Sequence, residues 1–196
     1  MTLRILGGDL KNRLLKTPKG PFSKPTMSLL RKAVFDMCQG KIEGASFLDL
    51  FACSGAMGIE ALSRGASHAT FLEKDRKTCH LLHENIALYH LEAKSTLLCS
   101  DVFSQIRKLE GSYDILYIDP PYPLLSDPKN PILSLFQVFE EGNLCNDSAW
   151  ILLEEGAPGQ FLSRIPVFSR IFLKDTRRFG STLLHRFIFA KQPLTL

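Results

Sequence analysis

Short apolar runs alternate with amphipathic helical stretches over most of the chain after Gly44. Runs of this length suit strands buried on both faces, and the stretches between them carry apolar residues at helical spacing. Candidate strands lie at residues 46–51, 69–74, 95–100, 114–119 and 149–154, and candidate helices at 57–64, 76–90, 102–109 and 132–140. Repeated βαβ units of this kind predict a mostly parallel sheet covered by helices on both faces, which is a doubly wound α/β fold.

The two ends of the chain depart from this alternation. Residues 169–190 contain two candidate strands without a helix between them, so we expect the sheet to close with an antiparallel hairpin. Residues 2–17 predict two short strands joined around Gly8-Asp9, and a linker rich in Pro and Gly then leads to a helix from Thr26 to Gly40. We therefore expect an N-terminal extension of residues 1–41, made of hairpin, loop and helix, packed on a main domain of residues 42–196.

Charge is distributed unevenly along the chain, whose net charge is +4. Residues 1–41 carry nine Lys and Arg against two Asp and Glu, residues 42–163 eight against seventeen, and residues 164–196 seven against one. Basic ends around an acidic middle favour contact with a polyanion, although a solvated basic face would give the same counts. The candidate contacts to nucleic-acid phosphates are Arg4, Lys11, Arg13 and Lys16 near the N-terminus, with Arg177 and Arg178 near the far end.

Several classes of protein are disfavoured by composition. The five cysteines include no CxxC pair, which argues against a disulfide framework and a zinc site. His80, His83 and His90 share one helical stretch without partners for a metal, so we expect none. The chain has no run of eighteen apolar residues and no signal-peptide pattern at its start, so we expect a cytoplasmic protein without a membrane span.

Polar residues end the first three strands of the predicted main sheet, at the edge where doubly wound sheets bind ligands. Asp49 lies in the first strand, which runs into a tight turn, FACSG, with Phe51, Cys53 and Gly55, and then into a helix that contains Gly58. The second strand ends in Glu73, whose carboxylate can accept from the two hydroxyls of a ribose. The third ends in Asp101, which can accept from an adenine amino group. Each feature alone is common, because an acid at a strand end is often a helix cap.

The choice of cofactor depends on charge around this turn. Glu73 would suit NAD equally well, but the phosphate fingerprint G-x-G-x-x-G is absent. Glu60 also lies just inside the helix that follows, and an acidic pocket disfavours a pyrophosphate. It suits a cofactor that carries an amine and a sulfonium cation, so the sequence favours S-adenosylmethionine.

The most specific signal is Asp119-Pro120-Pro121-Tyr122, which ends the fourth strand. The exocyclic amine of a base is a poor nucleophile because its lone pair is delocalised into the ring. The carboxylate of Asp119 and the carbonyl of Pro120 can accept its two N–H groups and aim that lone pair at a methyl group. Two prolines restrict the backbone, and Tyr122 offers a ring for an unstacked base. A strand ended by prolines with a buried Tyr is the plain alternative, but the combined features favour an amino methyltransferase.

Five segments resemble the bacterial RsmD family in order and spacing: GGDLKNRLL, KPTMSLLRKAVFDM, FLDLFACSGAMGIEALSRGA, FLEKDR and YIDPPY. Members of that family methylate the N2 amine of a guanine in small-subunit (16S) ribosomal RNA. The resemblance covers the chain nearly end to end and implies a Rossmann-like class I methyltransferase that uses S-adenosylmethionine. It also implies that the target base is held by residues 119–122 and that the cofactor is lined by Asp49, Phe51, Cys53, Gly55, Glu73, Asp101 and Val102.

The same resemblance implies that Lys24, Thr26 and Arg31 contribute to the substrate side of the site, beside the methionine end of the cofactor. It further implies a monomer whose partner is ribosomal RNA in an assembling small subunit. Four positions depart from the family pattern: Cys53 stands for Gly in the cofactor loop, Lys24 for Arg, Ser28-Leu29 for an Asp-Arg pair, and Phe179 for Tyr. None of them lies in the segment DPPY.

Other functions compete with this interpretation. The same acceptors would serve adenine N6 or cytosine N4 of DNA, although the chain has no separate target-recognition domain, which favours a structured RNA. A glutamine side chain of a protein is another acceptor, but by family resemblance those enzymes usually carry Asn first in the motif. A Rossmann-like binding module without catalysis, or a nicotinamide oxidoreductase, is disfavoured by DPPY and by the missing phosphate fingerprint.

Overall fold

The computed structural model describes residues 3–18, 26–127 and 129–192, with side chains except at 26 and 27. The chain forms two compact units, Met1–Val102 and Phe103–Leu196. Among the described residues, no helix is both long enough and apolar enough to cross a membrane.

The first unit begins with an antiparallel hairpin of two very short strands, β1 (Leu3–Arg4) and β2 (Leu14–Leu15). A helix, α1 (Thr26–Met37), follows and ends in a 3-10 turn, Cys38–Gly40. Strands and helices then alternate as β3 (Ser46–Asp49), α2 (Ala56–Ser63), β4 (His68–Glu73), α3 (Arg76–Leu88) and β5 (Ser95–Cys99). Strand β4 lies between β3 and β5 and is parallel to both.

A short helix, α4 (Val102–Gln105), starts at the last residue of the first unit. The second unit contains β6 (Tyr113–Ile118), α5 (Tyr122–Ser126), α6 (Pro131–Glu141), β7 (Cys145–Gly156), α7 (Phe161–Arg164), β8 (Ile171–Phe179) and β9 (Thr182–Phe189). Strand β7 is parallel to β6, whereas β9 is antiparallel to both β7 and β8. The seven strands β3 to β9 have the order β5-β4-β3-β6-β7-β9-β8. This topology confirms the mostly parallel sheet with a C-terminal antiparallel hairpin, and β1 and β2 confirm the small N-terminal hairpin.

Each unit has its own apolar core. In the first unit, Phe47 and Leu48 of β3 and Phe71 and Leu72 of β4 are fully buried, as expected for strands covered on both faces. In the second unit, the ring of Phe136 lies 5.1 Å from that of Phe161 and 5.0 Å from that of Phe187. Aromatic contacts at these distances stabilise packing beyond simple burial of area.

Two short helices, α5 and α7, were not among the predicted helices. Helix α5 starts directly after Pro121 and carries Pro123 in its first turn, where the missing N–H costs nothing. The predicted helix at 102–109 is also shorter than expected, since α4 ends at Gln105 and a 3-10 turn, Ile106–Lys108, follows.

Candidate active site

The loop between β3 and α2 (residues 50–55, called the cofactor loop below) is shaped by two residues in the left-handed region. Cys53 has φ +49° and Gly55 has φ +78°. A Cβ at Gly55 would also lie 2.1 Å from Cδ1 of Leu82, so this position accepts only glycine. Cys53 keeps a Cβ in this strained conformation, which costs about 1–2 kcal/mol.

Asp49, at the end of β3, holds the start of α2. Its side chain is buried, and Oδ2 accepts a hydrogen bond from the Gly58 N–H at 3.2 Å. A Cβ on Gly58 would lie 2.2 Å from the ring of Phe71, so the glycine lets α2 pack closely on β4. The buried carboxylate therefore fixes where the cofactor loop enters the helix.

Glu73 lies at the end of β4, and each oxygen of its carboxylate accepts a hydrogen bond from a backbone N–H. Oε2 accepts from the N–H of Cys53 at 3.0 Å, and Oε1 accepts from the N–H of Asp75 at 2.8 Å. A carboxylate oxygen has two acceptor positions, so each oxygen keeps one for a further donor. The side chain is partly exposed, and its two remaining acceptors match the two hydroxyls of a ribose.

Asp101 follows β5 and is partly exposed, whereas Val102 is buried at the start of α4. Strands β3, β4 and β5 are parallel neighbours, and Glu73 stands opposite Cys99. The N–H of Ser100 donates to the Glu73 carbonyl at 2.9 Å, so Asp101 leaves β5 directly beside the end of β4. The first unit thus brings three predicted carboxylates, those of Asp49, Glu73 and Asp101, to the carboxyl ends of adjacent strands.

Glu60 is used differently from the prediction. It is fully buried, and its carboxylate accepts from the N–H of Leu6 at 2.7 Å and from Nε of Arg64 at 2.8 Å. Nε of Arg31 lies 3.6 Å from the same group. Two guanidinium groups therefore neutralise Glu60, and it anchors the N-terminal segment on α2 rather than adding free negative charge to a cofactor pocket.

Arg31, expected on the substrate side, is also placed differently. Its side chain is only 3% exposed, pairs with Glu60 and donates to the carbonyl of Arg4 at 2.5 Å. Burial lowers the pKa of Arg31, and the nearby Glu60 opposes that shift. The guanidinium is thus buried with protein partners and does not face solvent. Lys24 and the side chain of Thr26 lie outside the described residues.

The other predicted phosphate contacts are exposed. Arg4, Lys11, Arg13 and Lys16 lie on or directly beside the N-terminal hairpin (residues 3–15). Nζ of Lys16 lies 3.1 Å from Glu84 in a solvent-accessible ion pair, which contributes little to stability. In the second unit, Arg177 lies on β8 with its Nε 3.5 Å from Asp175, and Arg178 donates to the Gly180 carbonyl.

In the second unit, Asp119 directly follows β6. Its side chain is exposed to solvent by surface area, while the many protein atoms packed around the carboxyl group raise its pKa to about 6 by desolvation. Among residues 3–18, 26–127 and 129–192, none donates a hydrogen bond to this carboxylate. Asp119 is therefore an available acceptor held in surroundings where its charge is costly.

The residues that follow Asp119 present two further groups. The carbonyl of Pro121 accepts from the N–H of Leu124 at 2.9 Å and so starts α5, whereas that of Pro120 has no donor within the described part of the chain. Tyr122 is 56% exposed rather than buried, and its ring lies over Gly156 at the end of β7. Four consecutive residues thus offer a carboxylate, a carbonyl fixed by prolines, and an exposed aromatic ring.

Two buried polar residues near these segments escaped the sequence interpretation. Asn85 of α3 bonds to the backbone of both Lys16 and Ser54. Glu155 of β7 accepts from the N–H groups of Gln160 and Phe161 and bonds to His185, which fixes the loop after Gly156. For Glu155, an acidic residue among the apolar residues of a strand could have indicated a buried, hydrogen-bonded role. For Asn85, an Asn in an amphipathic helix gives no such indication.

Comparison with known proteins agrees with this arrangement. A family model described as "Conserved hypothetical protein 95" matches residues 3–187. The Ribosomal RNA small subunit methyltransferase D of Escherichia coli (strain K12) is 32% identical over 149 residues, which cover 76% of this chain and 69% of that protein. The solved structure of the Escherichia coli protein yhhF superposes with a TM-score of 0.80 at 26% identity, covering 98% of this chain and 100% of that one.

A more distant structure shares the fold alone. SMU.776, solved in complex with SAH, has a TM-score of 0.65 at 18% identity, with 85% of this chain and 50% of that chain covered. The family model and the Escherichia coli relative span most of the chain and include the cofactor loop and the segment DPPY. The chain therefore belongs to the family described as conserved hypothetical protein 95, which is the RsmD family.

Proposed function

We propose that this protein transfers a methyl group from S-adenosylmethionine to the N2 amine of a guanine in small-subunit (16S) ribosomal RNA. The observation that carries the proposal is the carboxylate of Asp119, which is desolvated, lacks a donor among the described residues, and precedes a proline-fixed carbonyl. Family membership and the name of the Escherichia coli relative support the class of substrate.

The cofactor residues proposed are Asp49, Phe51, Cys53, Gly55, Glu73, Asp101 and Val102. When bound, S-adenosylmethionine supplies an electrophilic methyl group on a sulfonium sulfur. Glu73 fits a ribose because each of its oxygens keeps an acceptor position after binding the backbone of Cys53 and Asp75. Asp101 fits the adenine amino group, and Asp49 keeps the cofactor loop in place.

Asp119 and Pro120 orient the amine of the target base. Each accepts one N–H of the amine, which leaves the nitrogen lone pair directed at the methyl group. Methyl transfer would form the N–C bond as the S–C bond of the sulfonium breaks, and the Asp119 carboxylate would stabilise the positive charge on the nitrogen until one N–H proton leaves. This role requires the ionised form of Asp119, and Tyr122 supplies the surface on which the flipped base lies.

We further propose that residues 1–41 form an RNA-contacting extension of the domain at 42–196. Its exposed residues Arg4, Lys11, Arg13 and Lys16, with Arg177 and Arg178 of β8, contact phosphates. Because Arg31 is buried, we propose that it supports this surface only indirectly, through its hydrogen bond to the Arg4 carbonyl and its ion pair with Glu60. The proposed setting is the cytoplasm, with the protein acting as a monomer on an assembling small subunit.

The test is a methylation assay with radiolabelled S-adenosylmethionine and small ribosomal subunits that lack their native modification. The RNA is digested to nucleosides, and the labelled product is identified by chromatography. We expect label in N2-methylguanosine with the wild-type protein and none with Asp119→Ala. Binding of S-adenosylhomocysteine to that variant serves as the control for a folded cofactor site.

Other outcomes would redirect the proposal. Label in another methylated nucleoside would contradict guanine N2 and keep the amino methyltransferase. Label absent from RNA, despite measured cofactor binding, would contradict ribosomal RNA and favour DNA or protein as the acceptor.

A further inference from the structure

Asn85 of α3 connects two segments of the first unit that are far apart in sequence. Its side chain is fully buried. Oδ1 accepts from the N–H of Lys16 at 2.9 Å, and Nδ2 donates to the carbonyl of Lys16 at 2.9 Å. Nδ2 also donates to the carbonyl of Ser54 at 2.9 Å. One amide group thus makes three hydrogen bonds of good length to backbone.

The two segments are those that the proposed function assigns to different ligands. Lys16 directly follows β2 and so continues the N-terminal hairpin, whose exposed basic residues are the proposed RNA contacts. Ser54 lies inside the cofactor loop, between the left-handed residues Cys53 and Gly55. The N–H of Cys53 in turn donates to Glu73, the proposed ribose acceptor. Hydrogen bonds at both ends of the short Cys53–Ser54 backbone segment therefore connect the hairpin, through Asn85, to Glu73.

The chemistry of the amide makes the two ends interdependent. The amide of Asn is planar, so its donor and acceptor move together when the side chain rotates. A shift of the Lys16 backbone that keeps both bonds to Asn85 must rotate or translate this plane. The same motion changes the bond from Nδ2 to Ser54, whose side chain is buried and has little room to follow. The geometry of the cofactor loop therefore depends on the position of the hairpin.

We propose that Asn85 is a positioning residue that couples RNA binding at the N-terminal hairpin to cofactor binding at the cofactor loop. The inference rests on the proposed function and adds a specific route between its two ligands. RNA that holds the hairpin in the position described here also holds Ser54, so the cofactor binds more tightly. By linkage, the cofactor then strengthens RNA binding by the same factor.

The test measures the dissociation constant of radiolabelled S-adenosylhomocysteine by equilibrium dialysis, without and with saturating small ribosomal subunits that lack the native modification. The ratio of the two constants is the coupling factor. For the wild-type protein we expect about five- to tenfold tighter binding with subunits present. For Asn85→Ala we expect a ratio near one, with weaker binding to the free protein as well. If Asn85 had only a structural role, Asn85→Ala would bind S-adenosylhomocysteine more weakly both without and with subunits, and the ratio of the two constants would stay at the wild-type value.

Tyr89, directly after the end of α3, provides a matched control. Its hydroxyl donates to the carbonyl of Leu14 in β2, so it holds the same hairpin from about one turn beyond Asn85. Within the described residues its hydroxyl makes no hydrogen bond to the cofactor loop. Tyr89→Phe removes one hairpin contact and leaves the bonds of Asn85 intact. We expect this variant to keep the wild-type ratio even where its affinity for subunits falls.

A second pair of variants keeps the test decisive if Asn85→Ala does not fold. Lys16→Pro removes the N–H that Asn85 binds, whereas Lys16→Ala keeps it and removes the side chain with its ion pair to Glu84 and its proposed phosphate contact. Because the subunits are saturating, a lower affinity of Lys16→Ala for them does not change the ratio. We expect Lys16→Pro to lose the coupling and Lys16→Ala to retain it.

A wild-type ratio of one would overturn the inference, and so would an unchanged ratio in both Asn85→Ala and Lys16→Pro. In either case methylation of the subunits would still support the proposed function. Failure of the wild-type protein to bind or methylate the subunits would overturn the proposed function and this inference together.

Discussion

The ionised carboxylate of Asp119, a single functional group, lowers the free energy of unfolding of the protein. Desolvation raises its pKa from the ordinary value of 3.8 to about 6, so the folded protein binds this proton more tightly than the unfolded chain does. Stability therefore falls as pH rises from about 4 to about 6, by an amount that solvent screening of the exposed side chain keeps small. A carboxylate in this state gains a partner when the amine of a base arrives.

Because the ionised form of Asp119 destabilises the folded protein, we predict that Asp119→Asn unfolds at a higher temperature than the wild-type protein at about pH 7.5. The difference in unfolding temperature should disappear near pH 4, where Asp119 of the folded protein is protonated and both side chains are neutral. Thermal unfolding followed by circular dichroism at the two pH values gives the comparison. The variant should also lose most methyl transfer while it still binds S-adenosylhomocysteine. A variant less stable than the wild type at the higher pH would contradict the desolvation of Asp119.

Glu73 is the second residue whose role can be isolated. Its substitution by Ala removes two acceptors for the ribose and also releases the N–H groups of Cys53 and Asp75. Each hydrogen bond to a charged group contributes about 1.5–3 kcal/mol, so we predict at least a tenfold rise in the dissociation constant of S-adenosylhomocysteine. Isothermal titration measures it, with Glu92→Ala as the control for an exposed acid of the same unit. Equal affinities in the two variants would remove Glu73 from the cofactor site.

The sequence predicted acids at the ends of three strands because carboxylates stand out after apolar runs. It did not predict that Arg31 reaches Glu60, since that ion pair depends on how the N-terminal segment folds back on α2, whereas the pair of Glu60 with Arg64 is a local i,i+4 contact. Asn85 was missed for the same reason, because its bonds to Lys16 and Ser54 span 69 and 31 residues. Charge and polarity are visible in a sequence, but long-range partners are not.

At the scale of elements, β7 and α5 meet where the Tyr122 ring covers Gly156. A Cβ on Gly156 would lie 2.4 Å from Cε1 of Tyr122, so even a methyl group must displace the ring. We predict that Gly156→Ala raises the KM for ribosomal subunits several-fold and leaves the dissociation constant of S-adenosylhomocysteine unchanged. Steady-state methylation kinetics measure the first quantity, and titration measures the second.

Gly40→Ala is a suitable control for this variant, because no atom lies within 4 Å of a Cβ built on Gly40. We expect it to show the kinetics of the wild-type protein. An equal KM in Gly156→Ala and Gly40→Ala would mean that the base does not lie against Tyr122.

The positions of the elements followed from the sequence where apolar periodicity was strong. Strands β3, β4 and β5 begin and end within two residues of the prediction, because each is a short apolar run between polar turns. Strand β7 starts at Cys145, four residues earlier than predicted, since its first part contains the polar residues Asn146, Asp147 and Ser148. Pairing with the neighbouring strand β6 at Tyr113 extends it there, and such pairing has no local signal.

At the scale of the whole molecule, the sequence pattern predicted the order of strand types, from the short hairpin through the parallel strands to the antiparallel end. The boundary between an extension at 1–41 and a domain at 42–196 remains a prediction. Burial separates the basic residues that charge counting had grouped together: Arg31 is enclosed, whereas Lys11 and Arg13 are exposed. Only exposed Lys and Arg side chains can bind phosphates and so release counterions from the nucleic acid.

That distinction leads to a prediction about salt. Replacing both Lys11 and Arg13 with Ala removes two charges from the N-terminal hairpin, and the backbone bonds of Arg13 to Ile5 and Leu10 are unaffected. Each lost phosphate contact lowers the slope of log affinity against log salt concentration by about 0.7–0.9, so we expect a slope smaller by between one and two units. Binding of fluorescent ribosomal RNA across a salt series measures the slope. The double variant of Lys94 and Lys108, both exposed elsewhere, should keep the wild-type slope. If the hairpin variant and this control gave the same slope, RNA would not contact the hairpin, and the basic N-terminus would be only a solvated surface.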